Sequence, residues 1–301
     1  MTQWFSSNRT FIFRLLGTLL AIGLLFFLLK EGGWIEIVAA MQQIKIADLL
    51  WVALLFAISR IATVFRWHVL LKSGGINIRF KDSMELTFTG LFASNFLPTT
   101  IGGDVVRLAG AMQMGFDRAI CLASIAADRL IGVLGMAMIA PVGLVYSWNT
   151  IQIGSTVFSF FAFAKKPLTF IKRTLSTFSV WFKKPVSLLV ALAFTWIHML
   201  CLFGSIYVFV DDLGSHASFW MIAGLWSLTY FITLIPISIN GYGVQELAFT
   251  FLMSNVAGFK PAISITVILL IRAYFIISSL PGAVFLPAIL ETMSRGKNIQ
   301  E

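Results

Sequence analysis

Charge is scarce in this chain. Only 12% of its 301 residues are Asp, Glu, Lys or Arg, whereas soluble domains run nearer a quarter. A soluble fold of this length could not hide the 58% of residues that are hydrophobic in one core; a bilayer can, because its interior is itself apolar. Cysteine is nearly missing. Cys121 and Cys201 lie singly inside apolar runs, which excludes a disulfide framework and zinc-type ligand spacing. His68, His198 and His216 are scattered, with no H-E-x-x-H pair. There is no G-x-x-x-x-G-K-[ST] loop, so no ATP motor is encoded, and no G-x-S-x-G elbow. The Gly241-Tyr242-Gly243 pair lacks both the third glycine and the preceding strand of a dinucleotide fingerprint. No cofactor, no metal and no enzymatic activity are therefore expected. Acid is scarcer than base, giving a net charge of +9. The basic residues lie mostly between apolar stretches, which fits cytoplasmic loops and anionic lipid head groups better than nucleic acid.

What the chain has in quantity is apolar runs, at about 15–29, 49–71, 86–101, 119–146, 187–210, 219–239, 247–257 and 262–286. A transmembrane helix needs about 20 mostly apolar residues. The expected fold is an all-α, polytopic membrane helix bundle of seven or eight spans. Lys30 and Glu31 follow the first run where a signal peptide would carry small residues, so it reads as an uncleaved span. The segments 72–82 and 149–186 are basic, and the second holds no acid. Both are expected in the cytoplasm, with Asp211 and Asp212 outside. This orientation places the N-terminus on the cytoplasmic side of the inner membrane. Within 149–186, Leu168, Ile171, Leu175, Phe178 and Phe182 recur at helical spacing. Such a helix either lies in the interface with its basic side toward head groups or packs on the protein. The C-terminus falls inside if 247–257 is part of a crossing and outside if it is re-entrant.

The single transmembrane domain, 1–301, divides into a first half (1–148) and a second half (187–290), each with an interrupted run. The first interruption, 95–107, contains Asn95, Pro98, Gly102, Gly103, Asp104 and Arg107. The second, 233–246, contains Pro236, Asn240, Gly241, Tyr242, Gly243 and Glu246. In each, Pro closes a short apolar run, Gly103 or Gly241 follows five residues later, and a charge, Arg107 or Glu246, comes at nine or ten. Proline removes a backbone donor and glycine loosens a helix. Backbone groups freed in this way are tolerated at membrane depth only where they line a polar cavity or are buried in protein. Matched interruptions in two halves point to a transport site.

These segments, with Ser124 and Asp128-Arg129, resemble the flippase-like transmembrane domain of lysylphosphatidylglycerol synthase and its stand-alone relatives, over about residues 10–290. The resemblance implies a helical membrane domain with re-entrant pieces that moves lipid between leaflets. Full synthases also carry a soluble aminoacyl-transferase domain. This chain ends at Glu301 without one, so it is not expected to aminoacylate lipid itself.

Arg60, Asp128, Arg129, Glu246 and Arg272 fall inside apolar runs, where an ionisable group is costly unless paired or wet. Asp128 and Arg129 point about 100° apart on a helix, so each needs a partner elsewhere. Arg107, Arg129 and Arg272 are candidates to grip a lipid phosphate, with Asp104, Asp128 and Glu246 balancing them when no lipid is bound. The alternative is a purely structural salt-bridge network. Arg66 is expected to snorkel to an interface. Anionic or phosphate-bearing membrane lipids are the expected partners. Two other classes compete with a translocase. One is a membrane-embedded lipid-modifying transferase using Asp104 beside Thr99 and Thr100. The other is a non-catalytic scaffold for envelope-lipid synthesis enzymes.

Overall fold

The computed structural model describes residues 34–97, 102–148, 184–234 and 239–287, together with Gly23. The rest of the first apolar run, the connector 149–183 with the helix expected there, Pro98, Pro236 and the polar tail lie outside the described residues. Among the described residues the fold is entirely helical. In chain order the helices are α1 (Trp34–Gln43), α2 (Ile46–Ser73), α3 (Phe80–Phe96), α4 (Gly102–Gln113), α5 (Arg118–Ser147), α6 (Pro185–Asp212), α7 (Phe219–Thr233), α8 (Val244–Asn255) and α9 (Pro261–Ile277). A short helix, α10 (Pro281–Pro287), follows α9 at a bend of 44°.

Helix length separates two kinds of element. The helices α2, α5 and α6 have 28, 30 and 28 residues, about 42–45 Å each, and cross a hydrocarbon core about 30 Å thick. The bent pair α9–α10 passes the same test of length and hydropathy as one span. Two further pairs are hairpins of shorter helices. α3 and α4, of 17 and 12 residues, fold back on each other, as do α7 and α8, of 15 and 12 residues.

Side-chain contacts fix the directions. Lys184 at the start of α6 donates to the Ser73 carbonyl at the end of α2, 2.7 Å away. Lys45, before α2, bonds Asp212 at the end of α6 through both its backbone N–H and its ammonium. α2 and α6 are therefore antiparallel. α5 runs against α2, since Arg66 meets Asp128 and Trp67 meets Ser124. α7 runs against α5, since Tyr146 meets Ser218 and Gly143 lies on Gly224. α8 and α9 are antiparallel through Glu246–Arg272 and Ser254–Ser264. The α3/α4 hairpin thus enters from the face where α2 ends, and the α7/α8 hairpin from the opposite face, where α6 ends. This is an inverted repeat in which α2, α3, α4 and α5 correspond to α6, α7, α8 and α9–α10.

The two faces differ in charge. The face at the end of α2 carries Lys72, Arg79, Lys81, Arg118 and Lys184 against Asp82, Glu85 and Asp117. The other carries Glu36, Asp48, Asp211 and Asp212 against Lys45 and Lys260. Exposed Trp34, Trp51, Trp148 and Trp220 ring this acidic face, where amphipathic indoles favour a lipid–water boundary. Leu50, Leu54, Leu134 and Leu189 stand exposed along the long helices, as side chains solvated by lipid rather than water do. Among the described residues, the apolar runs at 86–101 and 219–239 supply arms of the two hairpins.

The crossing of α5 and α7 is close: a Cβ on Gly143 would run into the Gly224 backbone. Gly143→Val should lower stability by about 1–3 kcal/mol through overpacking. The measurement is thermal unfolding of the detergent-purified protein; an unchanged midpoint would show that the helices can separate freely.

Candidate functional site

Two groups of charged side chains sit at the two hairpin tips, in the interior of the bundle. At the first tip, a Cβ on Gly103 would collide with the Gly90 carbonyl and the Ser94 hydroxyl. Only glycine lets α4 lie this close to α3. Gly90 in turn leaves room for the stem of Arg107, whose Cγ and Cδ occupy the place of a side chain. Arg107 then stacks on Trp67 of α2, with Cζ 4.0 Å from the ring centroid, and the indole N–H is fixed by the Ser124 hydroxyl at 3.1 Å.

Asp104 and Asp128 organise this group. Asp128 accepts from Arg66 Nε at 2.6 Å and from Arg107 Nη1 at 3.2 Å. Asp104 accepts from the same Arg107 nitrogen at 3.3 Å and from Arg129 Nε at 2.7 Å. Adjacent Asp128 and Arg129 thus take partners on other helices. Four of the five side chains are buried, while that of Arg129 is 51% exposed. Among the described residues, three cations meet two anions here. Arg107 Nε and Nη2 are buried with no hydrogen-bond partner among the described residues.

At the second tip the backbone itself is unusual. Asn240, Gly241 and Gly243 all adopt positive φ, at 49°, 71° and 77°, a region open to glycine and next to asparagine. This is why the break reads Asn-Gly-Tyr-Gly. The turn delivers Glu246 to the first turn of α8. One of its oxygens accepts the Gly243 N–H at 2.7 Å, and the other accepts Arg272 Nε of α9 at 2.7 Å. The Arg272 guanidinium lies over Tyr242, 4.5 Å from its centroid. Glu246 and Arg272 are both largely buried.

The tips touch. Asn95 near the end of α3 donates through Nδ2 to Ser279 at the α9–α10 bend, 2.8 Å away, and its carbonyl accepts the Tyr242 hydroxyl at 3.4 Å. The structure therefore assembles Gly102, Gly103, Asp104, Arg107, Asp128 and Arg129 at one tip, and Asn240, Gly241, Tyr242, Gly243, Glu246 and Arg272 at the other, with Asn95 between. Pro98 lies outside the described residues.

Two expectations change. Arg66 does not snorkel. It is seven residues before the end of α2, about 10 Å deep, and its side chain is only 12% exposed against Asp128. That depth was the readable signal. The counterpart of Glu246 is Asp104 rather than Arg107. Each is the third residue of a 12-residue helix, where the helix dipole favours a carboxylate. Each also pairs with an arginine of the next helix, 25 or 26 residues on. Trp67 and Gly90 carried no charge signal and were missed.

Asp128→Asn removes the shared acceptor of two buried guanidinium groups. Breaking such a pair from one side costs about 3–5 kcal/mol, so the variant should unfold at markedly lower temperature. Asp128→Leu combined with Arg66→Leu should recover part of the loss. Equal melting of Asp128→Asn and the parent would show that Arg66 and Arg107 are solvated without it.

Comparison with known proteins follows the same lines. The sequence profile of the lysylphosphatidylglycerol synthase TM region matches residues 14–282, from before α1 into α10. A UPF0104 membrane protein of Pyrococcus horikoshii is 24% identical over 132 residues, 43% of this chain and 39% of that relative. The aligned stretch thus spans about two fifths of the relative's length. The chain is an integral membrane protein and belongs to the lysylphosphatidylglycerol synthase TM region family.

Proposed function

We propose that this protein moves a phosphate-bearing, anionic lipid or lipid-linked metabolite between leaflets, along a polar path built where the two hairpin tips meet. The observation that carries the reading is Arg107. It is buried on Trp67 and shares one nitrogen between two carboxylates, while Nε and Nη2 have no partner among the described residues. A buried donor left unsatisfied costs about 1–3 kcal/mol, and more when charged. A phosphate oxygen answers this need, because the planar guanidinium matches it in shape and charge. Arg129, half exposed on the same carboxylate, is the group such a head group meets first. Arg272 on Tyr242 offers a second position toward the opposite face, and Asn95 connects the two. Opposed hairpins meeting between inverted halves give the geometry in which rocking of one half exposes the path to alternate faces.

The excess of Lys and Arg on the basic face supports a cytoplasmic position for it, with the membrane taken as the inner one. The reading is of a carrier and not an enzyme. Both oxygens of Asp104 are held by arginines, so this carboxylate is not free to deprotonate an acceptor hydroxyl.

Reconstitution into vesicles with head-group-intact, fluorescently labelled phosphatidylglycerol tests this. The parent protein should equilibrate label between leaflets without changing the lipid's mass. Arg129→Gln, and Arg272→Gln combined with Glu246→Gln so that no buried charge is stranded, should fold but transport at least about tenfold more slowly, the worth of one charge-assisted contact. Rates equal to the parent in both variants would sink the phosphate-gripping role. Cysteine labelling tests orientation: in right-side-out vesicles an impermeant reagent should reach Asp211→Cys and not Arg79→Cys.

A further inference from the structure

The arginines inside the bundle do not share one fate. Arg66, Arg107, Arg129 and Arg272 each lie against a carboxylate. Arg60 does not. Among the described residues its guanidinium donates only to the Ser278 hydroxyl from Nε, at 2.8 Å, and to the Phe275 carbonyl from Nη2, at 3.3 Å. Phe275 and Phe56 flank it, with centroids 5.1 and 6.0 Å from Cζ. Nη1 has no partner among the described residues. Arg60 is 6% exposed. It is the fifteenth of the 28 residues of α2, about 20 Å from either helix end and so far too deep to snorkel.

A full positive charge is thus held in the middle of the bundle by a hydroxyl, one long carbonyl contact and two ring faces. The carbonyl belongs to the last turn of α9, and a helix C-terminus supplies only about half an elementary charge. The surroundings are polar in a connected way. Ser59, the preceding residue, bonds His198 Nδ1 at 2.6 Å. His198 is the fourteenth of the 28 residues of α6, so the midpoints of the two antiparallel helices meet here. Ser279, next to Ser278, holds Asn95, and Asn95 holds Tyr242. Arg60 therefore stands beside the junction of the two hairpin tips, separate from both ion-paired groups.

We propose that Arg60, oriented by Ser278, is an anion-binding position at the mid-plane that takes a phosphate group, either the head group of a lipid or free inorganic phosphate. Nη1 and the second proton of Nη2 supply the fork, beside the rings of Phe275 and Phe56. The binding position stands on the geometry around Arg60; its use as a mid-way station rests on the transport reading above.

The test uses the full chain in phosphatidylcholine nanodiscs. One arm adds phosphatidylglycerol and counts retained molecules by native mass spectrometry. The other titrates inorganic phosphate and follows thermal unfolding. The parent should hold one more phosphatidylglycerol than Arg60→Gln, whose affinity for that site should fall at least about tenfold. Arg60→Lys, which keeps charge but loses the fork, should fall between. Ser278→Ala should weaken binding several-fold without altering unfolding in phosphatidylcholine alone. Loss in the lipid arm only assigns the head group; loss in both arms assigns a site open to free phosphate as well. Arg60→Gln that folds and binds both anions like the parent overturns the proposal. If Arg60→Gln does not fold, parental binding by both Arg60→Lys and Ser278→Ala overturns it. Because these readouts involve no transport, a protein that binds through Arg60 yet moves no lipid refutes only the transport reading.

Discussion

The carboxylate of Asp128 fastens three helices at once. It belongs to α5, receives Arg66 from α2 and receives Arg107 from α4. In water such contacts would be worth little. Inside an apolar bundle the alternative to pairing is an unsolvated charge, so each partner must stay where it is. The arms of the hairpin formed by α3 and α4 are shorter than the long helices around them. They are held by this charge and by the backbone approach of Gly90 to Gly103. Deep charge thus ties a short hairpin into the bundle.

The second hairpin solves the same problem with fewer charges. Glu246 and Arg272 neutralise each other, and the left-handed turn at Asn240, Gly241 and Gly243 does the work of reversal. The two halves thus share a scaffold but not an electrostatic balance. Among the described residues, one tip gathers three arginines and two aspartates and the other a single Glu–Arg pair. A molecule with inverted repeats and unequal tips presents different chemistry to its two faces, as the charges of the described residues on each face also show.

Much of this was legible in the residues. The interruptions at 95–107 and 233–246 were visible as glycine and proline in apolar surroundings. The adjacency of Asp128 and Arg129 required partners on different helices. The hairpins were not legible, because an arm of 15 or 17 residues differs from a short span only in what it packs against. Nor was the register between halves. Five residues separate α3 from α4, but ten separate α7 from α8, because the second break holds an added turn at Ile239–Gly241. Counting from each proline therefore aligned Arg107 with Glu246, where counting from each helix start aligns Asp104. The Arg66–Asp128 pair spans 62 positions, and no local pattern announces a contact that long.

Asn95 gives the architecture a mechanical property. Its side chain holds the α9–α10 bend and its carbonyl holds Tyr242, so a single residue of the first half grips two points of the second. Hydrogen bonds weaken steeply beyond about 3.5 Å, and the Tyr242 bond is already near that limit. The end of α3 therefore cannot shift by much more than a bond's tolerance without releasing one side of the junction or dragging it along. The two tips are thus coupled mechanically through one residue, by its side-chain amide on one side and its backbone carbonyl on the other.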